Sequence, residues 1–283
     1  MSNFHSRSNS LPSKSHPVMD EIQDHLCRLR DSEATSAKSI CSNLACLIKL
    51  HEEIKNLIQV PSIQQAISHD QCGTWINEIL EGSLRLVDLC GFSRDVVCLT
   101  KECFQDFESS IRRNRSEAAT AKDIDSYVAS RKKINQMINK SIKNMKSFNQ
   151  NFTPLLEKTE DLKAIATVLK EMEVISSSVL KSILILVSGE KRRSKQRSWL
   201  LLSKLSQTSR VCDEMEQEMD GGDMLHALNA NMLQKGMDKI TKQNVLRQLK
   251  SSEMTTQDLE EGLTSFFRSL VKTRVSLLNA LSH

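Results

Sequence analysis

From Val18 onward, apolar side chains recur every three or four residues with polar residues between them. The first run is Ile22, Leu26, Leu29, Ser36, Ile40, Leu44, Leu47, Ile54 and Ile58, spacings that line one face of a long helix. Pro61 stops it, because a proline pushes the preceding residue, Val60, out of the helical region. A short helical turn is expected over 62–68. A second long run covers 71–113, with Trp75, Ile79, Leu86, Leu89, Val96, Phe104, Phe107 and Ile111 on one face. Gly82 and Gly91 fall inside it. Each weakens a helix locally, and Gly91 is the expected place for a kink or break.

A connector is expected over 114–121, then a helix over about 123–148 facing inward through Ile124, Tyr127, Ile134, Ile138, Ile142 and Met145. Pro154 opens the next region, and Leu162, Ile165, Leu169, Met172, Val179, Ile183 and Leu186 carry a helix to about Ser188. Beyond a polar loop over 189–197, a further helix is expected over about 199–219, stopped by Gly221-Gly222. The stretch 223–250 is interrupted near Gly236. The last helix is expected to start near Thr255 or Thr256 as N-cap, with acids in its first turn. Leu259, Leu263, Phe266, Leu270, Leu277 and Leu281 form its stripe. No segment alternates with a period of two, so no strand is predicted. The expected fold class is all-α: an elongated bundle of long antiparallel helices over 18–283. No short fixed period points to a solenoid.

Composition supports that picture. The 283 residues hold 8 Gly and 4 Pro, too few to punctuate a many-stranded sheet, and 4% aromatics, so the core must be aliphatic. Residues 1–17 differ sharply. They hold six Ser and two Pro, almost nothing apolar and no acids, and read as a disordered arm that cannot bury enough surface to offset its ordering entropy. This stretch resembles a transit peptide only superficially, which keeps a plastid as an alternative to the cytoplasm. No apolar run reaches membrane-spanning length; the strongest, from Val179 to Val187, contains Lys181. The net charge of +4 is mild and stacking aromatics are scarce, so no nucleic-acid partner is expected. The eight cysteines sit within helical patterns and read as reduced, core-filling thiols.

Motifs for chemistry are missing. Neither a phosphate-cradling glycine loop nor a dinucleotide fingerprint is present, and no nucleophile elbow is visible. His51-Glu52 begins like a zinc-protease helix, but Lys55 stands where the second histidine belongs. Cys41/Cys46 and Cys98/Cys103 are each five apart, which points the two thiols to different helix faces. No catalytic residue, cofactor site or metal site is therefore predicted, and the expected class is a non-enzymatic protein.

Two features remain. In the arm, Arg7-Ser8-Asn9-Ser10-Leu11-Pro12 has the form Arg-Ser-x-Ser-x-Pro, which looks like the phosphoserine motif read by 14-3-3 adaptors. A phosphate on Ser10 would bring close to two negative charges for an arginine cluster on a reader. Arg7 would serve a basophilic kinase, and Pro12 would turn the chain out of an extended groove. The second feature is basic: Arg112-Arg113-Asn114-Arg115, and Lys191, Arg192, Arg193, Lys195 and Arg197. Such clusters suit solvated helix ends and loops, nuclear import, or anionic lipid at the membrane periphery.

Several separated blocks also resemble the plant BYPASS-type family. They are His5-Ser-Arg-Ser-Asn-Ser-Leu-Pro-Ser-Lys-Ser-His-Pro17, Leu29-Arg-Asp-Ser-Glu-Ala-Thr-Ser36, Gly82-Ser-Leu-Arg-Leu-Val-Asp-Leu-Cys-Gly91 and Ser130-Arg-Lys-Lys133. These blocks match in order, and the resemblance covers almost the whole chain. The resemblance implies a land-plant helical protein with no established enzymatic activity and a link to root and shoot development. It supplies no catalytic residues. It does place the Ser10 motif within a shared block. The expectation is a plant regulatory or scaffold protein with a phosphorylation-controlled arm; the alternative is a peripheral membrane protein. The oligomeric state stays open.

Overall fold

The computed structural model describes residues 17–32, 36–69, 74–113, 117–145, 160–189 and 239–282. Among them the chain forms seven helices and no strand. They are α1 (Pro17–Asp31), α2 (Ala37–Ile58), α3 (Pro61–His69), α4 (Thr74–Arg113), α5 (Glu117–Asn144), α6 (Glu160–Ser188) and α7 (Lys239–Leu281). At 40 and 43 residues, α4 and α7 run about 60 Å each at 1.5 Å per residue, which makes the bundle elongated.

Most of the expected apolar stripes are the core, while Ile124, Ile142 and Met145 of α5 and Leu281 of α7 are only partly buried against it. Every residue assigned to the inner face of α4 is buried, as are all those assigned to α6. Trp75, Phe104 and Phe266 are the bulkiest fully buried side chains, set among Leu, Ile and Val. Consecutive long helices are antiparallel. Tyr127 of α5 stacks on Phe107 of α4 while Arg131 reaches back to Thr100. Arg274, Leu263 and Glu253 of α7 meet Ser83, Cys90 and Gln105 of α4 in reverse order. Two non-consecutive pairs run parallel instead. Ser269 and Thr273 of α7 donate to the carbonyls of Ile48 and His51 of α2. Along α4 and α6, Gly82 sits at Glu173, and Arg131 bridges Thr100 to Val187.

Several predicted boundaries change. The first long helix is two helices, because Ser36 caps α2: its hydroxyl accepts from Ser39 N at 2.9 Å while Ser39 Oγ accepts from Ser36 N at 3.0 Å. Pro61 does not merely end α2; it opens α3, where its missing N–H costs nothing. Gly91 breaks nothing, since α4 continues through it. Part of the expected 114–121 connector, from Glu117, is already helix. The predicted start at Thr255 or Thr256 is also overturned, because α7 runs unbroken through both. Thr256 Oγ1 donates to Ser252 O at 3.0 Å and Thr255 Oγ1 to Ser251 O at 3.1 Å, so both hydroxyls are satisfied inside the helix rather than at a cap. Gly189 closes α6 with φ 68°, a left-handed conformation that glycine adopts without strain. The predicted helix over 199–219 lies outside the described residues.

Candidate functional site

The described interior holds two polar clusters. In the first, His51 of α2 is 1% exposed. Its Nδ1 lies 3.2 Å from Thr273 Oγ1 and its Nε2 3.3 Å from Ser176 Oγ, while its ring meets Phe266 edge-on at 5.2 Å. Thr273 has backbone carbonyls to donate to, Ser269 O at 3.1 Å and His51 O at 3.2 Å. Its oxygen is therefore left to accept from His51 Nδ1–H, and Ser176 donates to the Nε2 lone pair. Burial holds the imidazole far below its ordinary range, at about 3, so it is neutral at physiological pH.

One turn along α6 from Ser176, Glu173 is 3% exposed. Its carboxylate lies 2.9 Å from Lys170 Nζ and 3.5 Å from Arg85, and it fills the space beside Gly82. Arg274 donates to Leu80 O and, at 2.6 Å, to Ser83 Oγ. Thus α2, α4, α6 and α7 are joined through polar groups in the middle of the bundle. The cavity there, bounded by His51, Ser83, Glu173, Thr273 and Arg274, is about 10 Å³. That is about the space of one water.

The second cluster lies at the far end of α6. Arg131, 4% exposed, donates to Val187 O at 2.6 Å and Thr100 Oγ1 at 3.2 Å, with its guanidinium 5.6 Å from the Phe104 ring centre. A cation on a last-turn carbonyl complements the helix dipole. Beside it, Cys103, Asp106, Ser110, Asp123, Ser126 and Ser130 line a half-open cleft of about 100 Å³ between α4 and α5. Burial raises the Tyr127 phenol and pushes the Cys103 thiol up to about 11.

The residues predicted as sites fall mostly elsewhere. Arg7, Ser8, Ser10 and Pro12 lie outside the described residues, as do Lys191, Arg192, Arg193, Lys195, Arg197 and Arg115. Arg112 and Arg113 occupy the last turn of α4, where Arg112 pairs with Glu108. Lys55, which breaks the zinc-protease pattern, pairs with Glu52. The six described cysteines are free thiols, with Cys90 buried and pushed up to about 12. Among the described residues no three His, Cys, Asp or Glu side chains converge as for a metal, and no helix is long and apolar enough to cross a membrane.

Sequence reasoning missed Glu173, Arg131 and Arg274, because charged residues in a helical pattern read as surface. Signals were present: Gly82 inside a helix, and Arg85 and Arg131 inside the blocks that carry the family resemblance.

A family model described as Protein BPS1 matches residues 43–280. No curated protein matches the chain, and no solved structure does. The matched span runs from the second turn of α2 to the last turn of α7, so it takes in both buried polar clusters. It agrees with the resemblance read from the separated sequence blocks: this chain belongs to the BPS1 family.

Proposed function

We propose that this chain is a non-enzymatic regulatory or scaffold protein of plant cells, acting through protein contacts in root and shoot development. Its switch is the arm. Phosphorylation of Ser10, with Arg7 as the kinase determinant and Ser8 and Pro12 completing the motif, creates a ligand for 14-3-3 adaptors. The observation that carries the non-enzymatic part is that, among the described residues, the polar cluster around His51 is closed. His51, Ser176, Thr273 and Glu173 are engaged with neighbouring protein groups, beside a cavity with space for about one water. The arm part is supported by the Arg-Ser-x-Ser-x-Pro spacing within a Ser-rich segment. The test is calorimetric titration of the full chain, phosphorylated at Ser10, with a purified 14-3-3 protein. The expected affinity is about micromolar or tighter, against none for the unphosphorylated chain. Equal binding, or none, of the two forms overturns the switch.

A second reading rests on the five cations among residues 191–197. They would hold the protein on anionic lipid, with co-sedimentation on phosphatidylserine vesicles that falls with salt and with Arg192, Arg193, Lys195 and Arg197 changed to Ala.

A further inference from the structure

Helices α4 and α7 lie side by side and antiparallel, in contact along their length. Arg274 reaches Ser83, and Phe267 lies 3.9 Å from where a Cβ on Gly91 would be, beneath the Arg94 guanidinium. On the solvent side of this seam the apolar pattern does not stop. Leu84 is 41% exposed on α4, and Val271, Val275 and Leu278 are 38%, 48% and 41% exposed on α7. Val271, Val275 and Leu278 are spaced four and three apart. Leu80, Leu84, Val87 and Gly91 are spaced four, three and four. Each is the spacing of a helix-packing seam, exposed at Leu84, Val271, Val275 and Leu278, with Leu80 and Val87 partly buried beneath.

Charge flanks this groove asymmetrically. On the α4 side Glu81, Asp88 and Asp95 recur every seven residues, all exposed. On the α7 side stand Arg268 and Lys272, also exposed, with Glu261 seven residues before Arg268 and Glu52 of α2 near Lys272. Glu81 and Asp95 have neighbours, Arg85 at 3.7 Å and Arg94 at 3.9 Å. Asp88 and Arg268 make no ion pair among the described residues.

The arrangement fits a second copy of this chain. A twofold axis running along the groove lays α4 of one copy over α7 of the other. Asp88 of each copy then meets Arg268 and Lys272 of the other, twice, around four packed helices. A twofold axis across the groove would instead stack α4 on α4 and oppose three carboxylates with three. We propose that the chain forms a symmetric homodimer through the α4–α7 seam, with Leu84, Val271, Val275 and Leu278 in its apolar centre and Asp88 paired with Arg268 and Lys272 of the second copy.

The experiment is sedimentation equilibrium on the full chain over a dilution series, at low and physiological salt. Wild type should show a monomer–dimer equilibrium. Val275→Glu with Leu278→Glu should leave a monomer with unchanged helical circular dichroism, since both positions are exposed. Asp88→Arg alone and Arg268→Asp alone should each weaken association roughly tenfold, and the two together should recover most of it. That recovery separates a paired contact from a general loss of folding. A wild-type monomer at all concentrations overturns the proposal. So does a dimer indifferent to Val275→Glu with Leu278→Glu, or a double charge swap no better than the worse single one.

Discussion

The carboxylate of Glu173 stands where a side chain at position 82 would be: a Cβ on Gly82 would lie 2.3 Å from Glu173 Oε2. A buried acid tied to Lys170 and Arg85 can sit against α4 because the glycine opens a notch. Gly82→Ala should therefore destabilise the fold by roughly 1–3 kcal/mol, despite alanine's better helix propensity, because Glu173 must leave its partners. With Glu173→Ala already in place, the same change should become neutral or stabilising. Gly91→Ala meets only Phe267, at 3.9 Å, and should stabilise by about 0.5–1 kcal/mol. Urea unfolding of the four variants measures all three.

His51 gives the fold an acid sensitivity. Its folded value of about 3 lies below the ordinary 6.5. Between the two the unfolded chain binds a proton that the fold excludes. Stability is therefore full above about 6.5 and lost as pH falls, at up to about 1.4 kcal/mol per pH unit. Glu52, Glu253 and Glu260 are held below 4.5, by Lys55, Gln105 and Lys101 respectively, so what they contribute is present above 4.5 and lost below it. The interval from about 6.5 to 5 therefore reports on His51. Wild type should lose about 2 kcal/mol between pH 7 and pH 5, and His51→Gln should lose distinctly less. Equal slopes would remove His51 as the cause.

Arg131 serves the last turn of α6 and Thr100 together. Arg131→Met keeps bulk but leaves the Val187 carbonyl without its donor. The expected cost is about 2–4 kcal/mol, with faster amide exchange in the last turns of α6. Arg131→Lys should restore under half of that, since one ammonium cannot reproduce the planar fork.

The repeat of apolar positions made most of the fold legible, because burying a stripe is what each helix does. Boundaries were less legible where a polar side chain had two uses. Ser36 fell on the apolar stripe by spacing, yet it caps α2. Thr256 looked like a cap, yet it bonds backward inside α7. The parallel runs of α2 with α7 and of α4 with α6 follow from contacts between distant segments that no local pattern encodes. The polar clusters were hidden for a related reason. Glu173 and Arg131 look like surface charges until the partners that permit their burial, Gly82 with Lys170, and Val187 with Thr100, are brought alongside.

The most direct test of a phosphorylation-controlled scaffold is a pull-down from plant extract with the full chain, wild type against Ser10→Ala, read by mass spectrometry. The proposed function predicts 14-3-3 proteins with phosphorylated wild type, lost with Ser10→Ala, and a set of further partners that does not depend on Ser10. Identical protein lists for the two baits would contradict the switch.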